Sequence, residues 1–279
     1  MMRLHSPAKY LTVLLVAIFF LCASRLPTSA EYITASGCSI SKEGYLTDLA
    51  KEYERRTGVK VFVRGGGTIA GVEDLRAGKV DFAASCRPRA AGDPEDIQFI
   101  QVAWGALVFI VHKNNKVNDI SLDQVRAIYA GQITNWMQLN GDDAPIEIFL
   151  SNSRIGLSGV ESSLREMVLK GKGPVMTAHT TSLASTGIVE QTVAKTPGGF
   201  ATAGFPSARK RQVKILKVNG INPTTKTIRN NTYPLKRPLF LLVPQRPNPE
   251  VKKFVDFVLS KEGQRFISSR GVVSLLDLK

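Results

Sequence analysis

The stretch VKVFVRGGGTIAGVEDLRAGKVDFAAS constrains the chain most, because a β-prone run, a glycine turn, a short helical segment and a second β-prone run follow one another without a spare residue. Val59 to Val63 reads as a strand, Ile69 to Ala77 as a short helix and Val80 to Ala84 as the next strand. Upstream, Tyr32 to Ala35 is β-prone, and Tyr45, Leu46, Leu49, Ala50 and Tyr53 recur at helical spacing until Gly58 closes the helix. The unit is βαβαβ. Such a unit builds a parallel sheet covered by helices, with its ligand-sized loops at the carboxyl ends of the strands.

The same alternation continues. Ala103 to His112 (AWGALVFIVH) is a continuous apolar strand suited to burial on both faces. Ser121 with Gln124 forms a capping box before Val125, Ile128 and Tyr129, and Gly131 ends that helix. Ile146 to Leu150 reads as a strand, and Ser158 with Glu161 as a second capping box ahead of Val160, Leu164, Met167 and Val168. Short β-prone stretches follow at Gly199 to Thr202 and Val213 to Val218. Pro238 to Val243 is an apolar strand, and Asn248-Pro249 starts a helix with Val251, Phe254, Val255 and Val258 on one face. There is no internal repeat and no low-complexity tract.

The first thirty residues read as an export signal. Arg3 and Lys9 give a basic start, Tyr10 to Cys22 an apolar run too short for a stable membrane span, and Thr28-Ser29-Ala30 a small-residue cleavage site. Cys38 lies well beyond the apolar run, and Cys22 follows Leu21, so neither is expected to carry a lipid. Removal of residues 1–30 leaves 249 residues and lowers the formal charge from +14 to +11. A basic excess favours an anionic partner: nucleic acid, an anionic membrane surface or a small oxyanion. The densest basic run, Ala208 to Lys214, has no interleaved aromatics to stack on bases, and export removes the chain from most nucleic acid. A solvated basic surface is the plain alternative.

Enzyme signatures are lacking. The chain has three histidines, none in a metal-binding spacing, and Gly156-Leu-Ser-Gly-Val160 lacks the last glycine of a nucleophile elbow. The turn Gly65 to Gly71 misfits a dinucleotide fingerprint, and Asp81 is badly placed for a ribose. What remains is simpler. Glycines let backbone N–H groups approach an anion, Thr68 adds a hydroxyl, and the helix that follows is electropositive at its start. Arg154, Ser158, Gly159 and Val160 offer a guanidinium, a hydroxyl and free N–H groups in the same way. Taken singly, either segment is equally a tight turn or an ordinary helix cap.

In order, ASGCSIS, TGVKVFVRGGGTIAGVEDLRAGKVDFAASCRP, LDQVRAIYAGQITNW, RIGLSG, TYPLKRPLFLLVP and NPEVKKFVDFVLSKEGQRFISSRG resemble the PstS-like phosphate-binding proteins of ABC transporters, of the type 2 periplasmic binding protein superfamily. The resemblance covers nearly all of residues 31–279. It implies an α/β fold of two lobes joined by two crossover strands, with lobe 1 at 31–107 and 236–279 and lobe 2 at 108–235. It also implies a periplasmic, non-enzymatic, monomeric protein without a cofactor, which captures phosphate or a similar oxyanion and presents it to a membrane permease, with no nucleic acid as partner. By the same resemblance the ligand-binding residues are Cys38, Ser39, Ile40, Thr68, Cys86, Arg154, Ser158, Gly159 and Val160. Family sites often carry an acid or serine at the position of Cys86 and a threonine at that of Val160, which leaves selectivity open: an acid accepts the proton of hydrogen phosphate and repels sulfate. Arg87 adds charge in a direction the sequence leaves undefined. Other readings are a binding protein for a different oxyanion or a signalling partner, and an extracytoplasmic phosphatase-like hydrolase. The family's strand order sets the loops holding Cys38 and Cys86 side by side, so the resemblance also implies a Cys38–Cys86 disulfide, with two free buried thiols as the alternative.

Overall fold

A computed structural model describes residues 32–153 and 156–278. The expected export segment lies outside the described residues. Strand β1 (Tyr32–Gly37) leads into a helical run that begins as α1 (Ser39–Ser41), widens to a π-helix over Lys42–Leu46 and continues as α2 (Thr47–Thr57). Gly58, at φ 78°, closes it in the left-handed conformation that glycine adopts without a side-chain clash. The helical run starts six residues before Tyr45, immediately after Cys38, because Ser39, Ser41, Lys42 and Glu43 of its first turns give no apolar period.

Strand β2 (Lys60–Val63), α3 (Thr68–Arg76) and β3 (Phe82–Ser85) complete the βαβαβ unit. β1 lies between β2 and β3 and is parallel to both. β4 (Ile97–His112) is sixteen residues long, longer than its apolar core implies, since its first part is only half-buried. Then come β5 (Asp119–Ile120), α4 (Leu122–Tyr129), β6 (Glu147–Ser153), β7 (Gly156–Leu157) and α5 (Gly159–Met167). β8 (Thr180–Leu183), α6 (Thr186–Val193), β9 (Gly199–Gly204), α7 (Phe205–Ala208), β10 (Val213–Ile215), β11 (Lys217–Val218) and α8 (Thr225–Arg229) follow. The chain ends with β12 (Lys236–Pro244), α9 (Pro249–Leu259), α10 (Lys261–Ser269) and β13 (Val273–Ser274).

The main path of strands runs β2-β1-β3-β12-β4-β9-β6-β7. β4 serves both ends of it: residues 97–106 pair with β12, and 107–111 pair with β9. The return strand enters beside the same point, where Leu107 N–H donates to Leu235 carbonyl at 2.9 Å. Parallel strands flank each side, β1 with β2 and β3 on one, β6 with β8 and β9 on the other. Two βα arrays thus share a pair of long antiparallel strands, and loops at the carboxyl ends of β1, β3 and β6 are free to hold a ligand.

Aromatic groups within one continuous apolar core support the two arrays. On one, Tyr53 and Phe82 pack on Phe254 with ring centroids 5.1 and 5.2 Å apart. On the other, Phe200 stands between Phe109, Tyr129 and Trp136 at 5.6 to 6.0 Å. Each such side chain contributes about 1.5–3 kcal/mol on burial, so the strand ends rest on rigid supports. The capping box of Ser121 and Gln124 forms as the sequence indicates, and Asn248 caps α9 by accepting from Val251 N–H at 2.8 Å. No helix among the described residues is long and apolar enough to cross a membrane.

Candidate functional site

Gly37, the last residue of β1, sets the geometry. Its φ is +125°, and a side chain there would sit 2.3 Å from Ala84 carbonyl, so only glycine permits this approach to β3. Cys38 N–H then donates to the same Ala84 oxygen at 2.8 Å. Gly71 of α3 packs against Gly37 so closely that its own Cβ would lie 2.7 Å from Gly37 Cα. The starts of the first helical run and of α3 are thereby drawn to the ends of β1 and β3.

Ser39 is turned toward the glycine loop: its hydroxyl accepts from Gly66 N–H at 3.3 Å. Thr68, the first residue of α3, is fully buried, and its hydroxyl accepts from Cys86 N–H at 3.4 Å and lies 3.9 Å from Cys86 Sγ. Ile40 packs under Gly204 of β9, where a Cβ would come within 2.4 Å of it, so this side chain bridges the two arrays. Its role here is apolar.

From the other array, Ser158 caps α5 by accepting from Glu161 N–H at 3.2 Å. The expected reciprocal half of that box is missing, because the Glu161 carboxylate turns to accept from Ser151 N–H of β6 at 2.9 Å. Ser151 Oγ also meets Ser158 Oγ at 2.5 Å and receives Thr186 Oγ1 at 3.2 Å. This buried chain locks the loop before α5. A Cβ on Gly159 would lie 2.6 Å from Cys86 Sγ and 2.7 Å from Thr68 Oγ1, so α5 starts in contact with the ends of β3 and α3. Val160 is buried with it. Arg154 lies outside the described residues.

The sequence-derived residues Thr68, Cys86 and Gly159 therefore converge, with Cys38 beside Cys86. The Cys38–Cys86 disulfide expected from the family's strand order is not formed: both residues are free, buried thiols. Non-covalent partners occupy them instead. The Cys38 thiol hydrogen-bonds the Cys86 sulfur and, with the Arg237 guanidinium and Thr68, pulls Cys86 down to about 6, whereas burial pushes Cys38 well above the ordinary thiol range. Arg87 is spoken for: its guanidinium binds Asp93 at 2.6 and 2.8 Å, which neutralises the charge whose direction the sequence left undefined. Asp81 is likewise structural, accepting from Thr34 N–H and hydroxyl at 2.8 Å each.

Two participants escaped sequence reasoning. Arg237 of β12 is 2% exposed and donates through Nη1 to Gly159 carbonyl at 3.1 Å and Ser163 Oγ at 2.9 Å. A basic pair at the head of an apolar strand, PLKRPLFLLV, is the signal the sequence offers. Glu161 looked like a cap residue; burial of its side chain pushes its carboxyl up to about 7. The basic run near Lys210 is also no plain solvated surface, since Lys210 Nζ reaches Glu43 carbonyl at 2.7 Å and Asp48 at 3.2 Å, and Arg211 reaches the buried Glu190 at 3.2 Å.

Chemically the cluster offers donors. The starts of two nine-residue helices, α3 and α5, point at it from different arrays, and a guanidinium stands alongside. No grouping of three or more His, Cys, Asp or Glu residues suited to a metal occurs among the described residues.

Two arrays of parallel strands sharing long antiparallel strands, with helix starts meeting between them, define a two-part α/β solute-binding fold. The family model for the PBP superfamily domain matches residues 23–262, and the chain belongs to that family. It is 25% identical over 251 residues to the phosphate-binding protein PstS of Bacillus subtilis, covering 88% of this chain and 82% of that one. It is 26% identical to PstS of Borreliella burgdorferi, covering 94% and 98%. Among solved structures, a Clostridium perfringens protein with bound phosphate superposes with a TM-score of 0.78 at 24% identity, covering 88% of this chain and all of that one. An ABC-type phosphate transport receptor from Vibrio cholerae gives 0.67, also at 24% identity and 88% coverage of this chain.

Proposed function

We propose that this chain is the extracytoplasmic binding protein of an ABC transporter and holds phosphate, or an oxyanion of the same shape, between two lobes. The observation that carries the reading is the meeting of Thr68, Cys86 and Gly159: helix starts from both arrays converge on a buried spot with a hydroxyl and a guanidinium beside them. The names of the relatives support the same ligand. The lobes are residues 31–107 with 236–279, and 108–235. Residues 1–30 direct export to the periplasm and are removed. The protein acts as a monomer, delivers its ligand to a permease and performs no chemistry on it. Cys38, Ser39, Ile40, Thr68, Cys86, Arg154, Ser158, Gly159 and Val160 supply the ligand loops, with Ser39 and Ser158 acting mainly to hold the loops in place.

A fully ionised oxyanion other than phosphate is the second reading. It is favoured by Cys86, which puts sulfur and no carboxylate beside Thr68 and Gly159, a weaker acceptor for the proton of hydrogen phosphate than a fixed acid would be. Titration calorimetry of ligand-stripped protein with phosphate, sulfate, arsenate and molybdate tests both. Saturable heat with phosphate, together with a higher melting temperature, is expected, since a ligand at 100 times its Kd stabilises a native state by about 2.7 kcal/mol. Heat with sulfate or molybdate alone would select the second reading. No response to any of the four would refute oxyanion binding.

A further inference from the structure

Arg237 is buried and incompletely satisfied. Its Nη1 bonds lobe-bridging partners, Gly159 carbonyl and Ser163 Oγ, but Nε and Nη2 are buried without any hydrogen-bond partner. No carboxylate among the described residues is ion-paired with it. Cys86 Sγ and Cys38 are close enough to feel its charge, and neither bonds it. A desolvated guanidinium with two idle donors is costly in a native protein unless something from outside completes it.

The idle atoms are the informative ones. Nε and Nη2 form one edge of the planar guanidinium, the fork that grips two oxygens of a carboxylate or phosphate in parallel hydrogen bonds. The opposite side, through Nη1, is held against the first turn of α5, so the free fork has a fixed orientation. The strand that carries it, β12, pairs with β4 at Gly105, in the shared part of the sheet. The Nη1 contact with Gly159 and the charge felt at Cys86 put the guanidinium beside the meeting point of Cys38, Cys86, Thr68 and Gly159.

Resting on the phosphate reading, we infer that Arg237 is the permanent cation of the oxyanion site, its Nε and Nη2 donating to two oxygens of the bound anion while its Nη1 holds α5 closed over it. The shared strand then contributes directly to the ligand, and anion charge is coupled to the position of the second lobe through one side chain. Lysine cannot substitute, because a single ammonium cannot grip two anion oxygens and Gly159 together.

Calorimetry with phosphate and sulfate, and melting curves with and without phosphate, on wild type, Arg237→Gln and Arg237→Lys test this. Charge-assisted hydrogen bonds of this kind predict affinity losses of about tenfold or more for Arg237→Lys and about a hundredfold for Arg237→Gln. The ligand-free melting temperature of Arg237→Gln should hold or rise, since an unpaired buried charge is removed, while the phosphate-induced rise shrinks. A purely structural arginine gives the reverse: a lower ligand-free melting temperature and an affinity within threefold of wild type, and either variant binding within threefold overturns the inference. If Arg237→Gln does not fold, Arg237→Lys decides by the same threefold criterion, and failure of both to fold assigns a structural role and also overturns it. Wild type that binds phosphate while the variants bind equally well sinks the inference alone; wild type that binds neither anion sinks the functional reading with it.

Discussion

Glu161 is a carboxylate held where a neutral group would do as well, and that makes Glu161→Gln a quantitative test of the geometry before α5. The side chain is 4% exposed, and burial moves its carboxyl from the usual 4.5 to about 7, opposed by the Ser151 hydrogen bonds. The folded value lies above the unfolded one, so the acid's favourable contribution is complete below about pH 4.5 and is lost as pH rises through about 7. At about 1.4 kcal/mol per pH unit, charging it at pH 8 costs about 3 kcal/mol. Glutamine keeps the oxygen that accepts from Ser151 N–H and carries no charge. For a chain of this size about 3 kcal/mol corresponds to about 6–12 °C in melting temperature. Ligand-free wild type and Glu161→Gln, melted at pH 5 and pH 8, should therefore nearly coincide at the lower pH, with the variant more stable at the higher. Glu190, also raised to about 7 by burial, titrates in both proteins and cancels in the difference. A difference independent of pH, or a variant less stable at pH 8, would refute the burial argument for Glu161.

Three further outcomes follow from the site. Gly159→Ala places a methyl where Cys86 Sγ and Thr68 Oγ1 stand 2.6 and 2.7 Å away, so oxyanion affinity should fall more than tenfold by calorimetry while far-ultraviolet circular dichroism stays native; unchanged affinity would mean α5 does not meet the ends of β3 and α3. Cys86→Asp installs an acceptor and should shift preference toward protonated hydrogen phosphate, read as a lower sulfate-to-phosphate affinity ratio; an unaltered ratio removes Cys86 from the selectivity argument. Protein unfolded without reductant should take up alkylating reagent at both Cys38 and Cys86, and slow uptake in the folded state should report their burial; an unlabelled pair in the unfolded chain would show a bridge.

The order and type of the elements around the cluster were legible because local patterns set them. Apolar runs became β1 to β4, β6, β9 and β12, Gly58 stopped α2, and Ser121 and Asn248 capped where their side chains could reach a free N–H. The glycine turn before α3 was legible as a turn, since Gly66 and Gly67 take positive φ and a side chain on Gly65 would meet Ser39 Oγ. β8 and α6 leave little trace in the sequence, as β8 is largely exposed and α6 mixes an exposed Ile188 with the buried Val189 and Val193.

What the chain alone determined was the inventory: alternating strands and helices, and donor-rich loops at Cys38, Thr68 and Ser158. Packing decided which groups face one another in space. Glu161 left its cap for Ser151, Arg87 found Asp93, Lys210 reached Asp48, and the two cysteines became a free thiol pair beside Arg237. Local propensity is a sum over neighbours a few residues apart, whereas a buried charge selects partners by desolvation, and desolvation is a property of the packed whole. Arg237 reads in sequence as a basic residue in a strand; only burial, with two donors left idle, makes it the centre of a site.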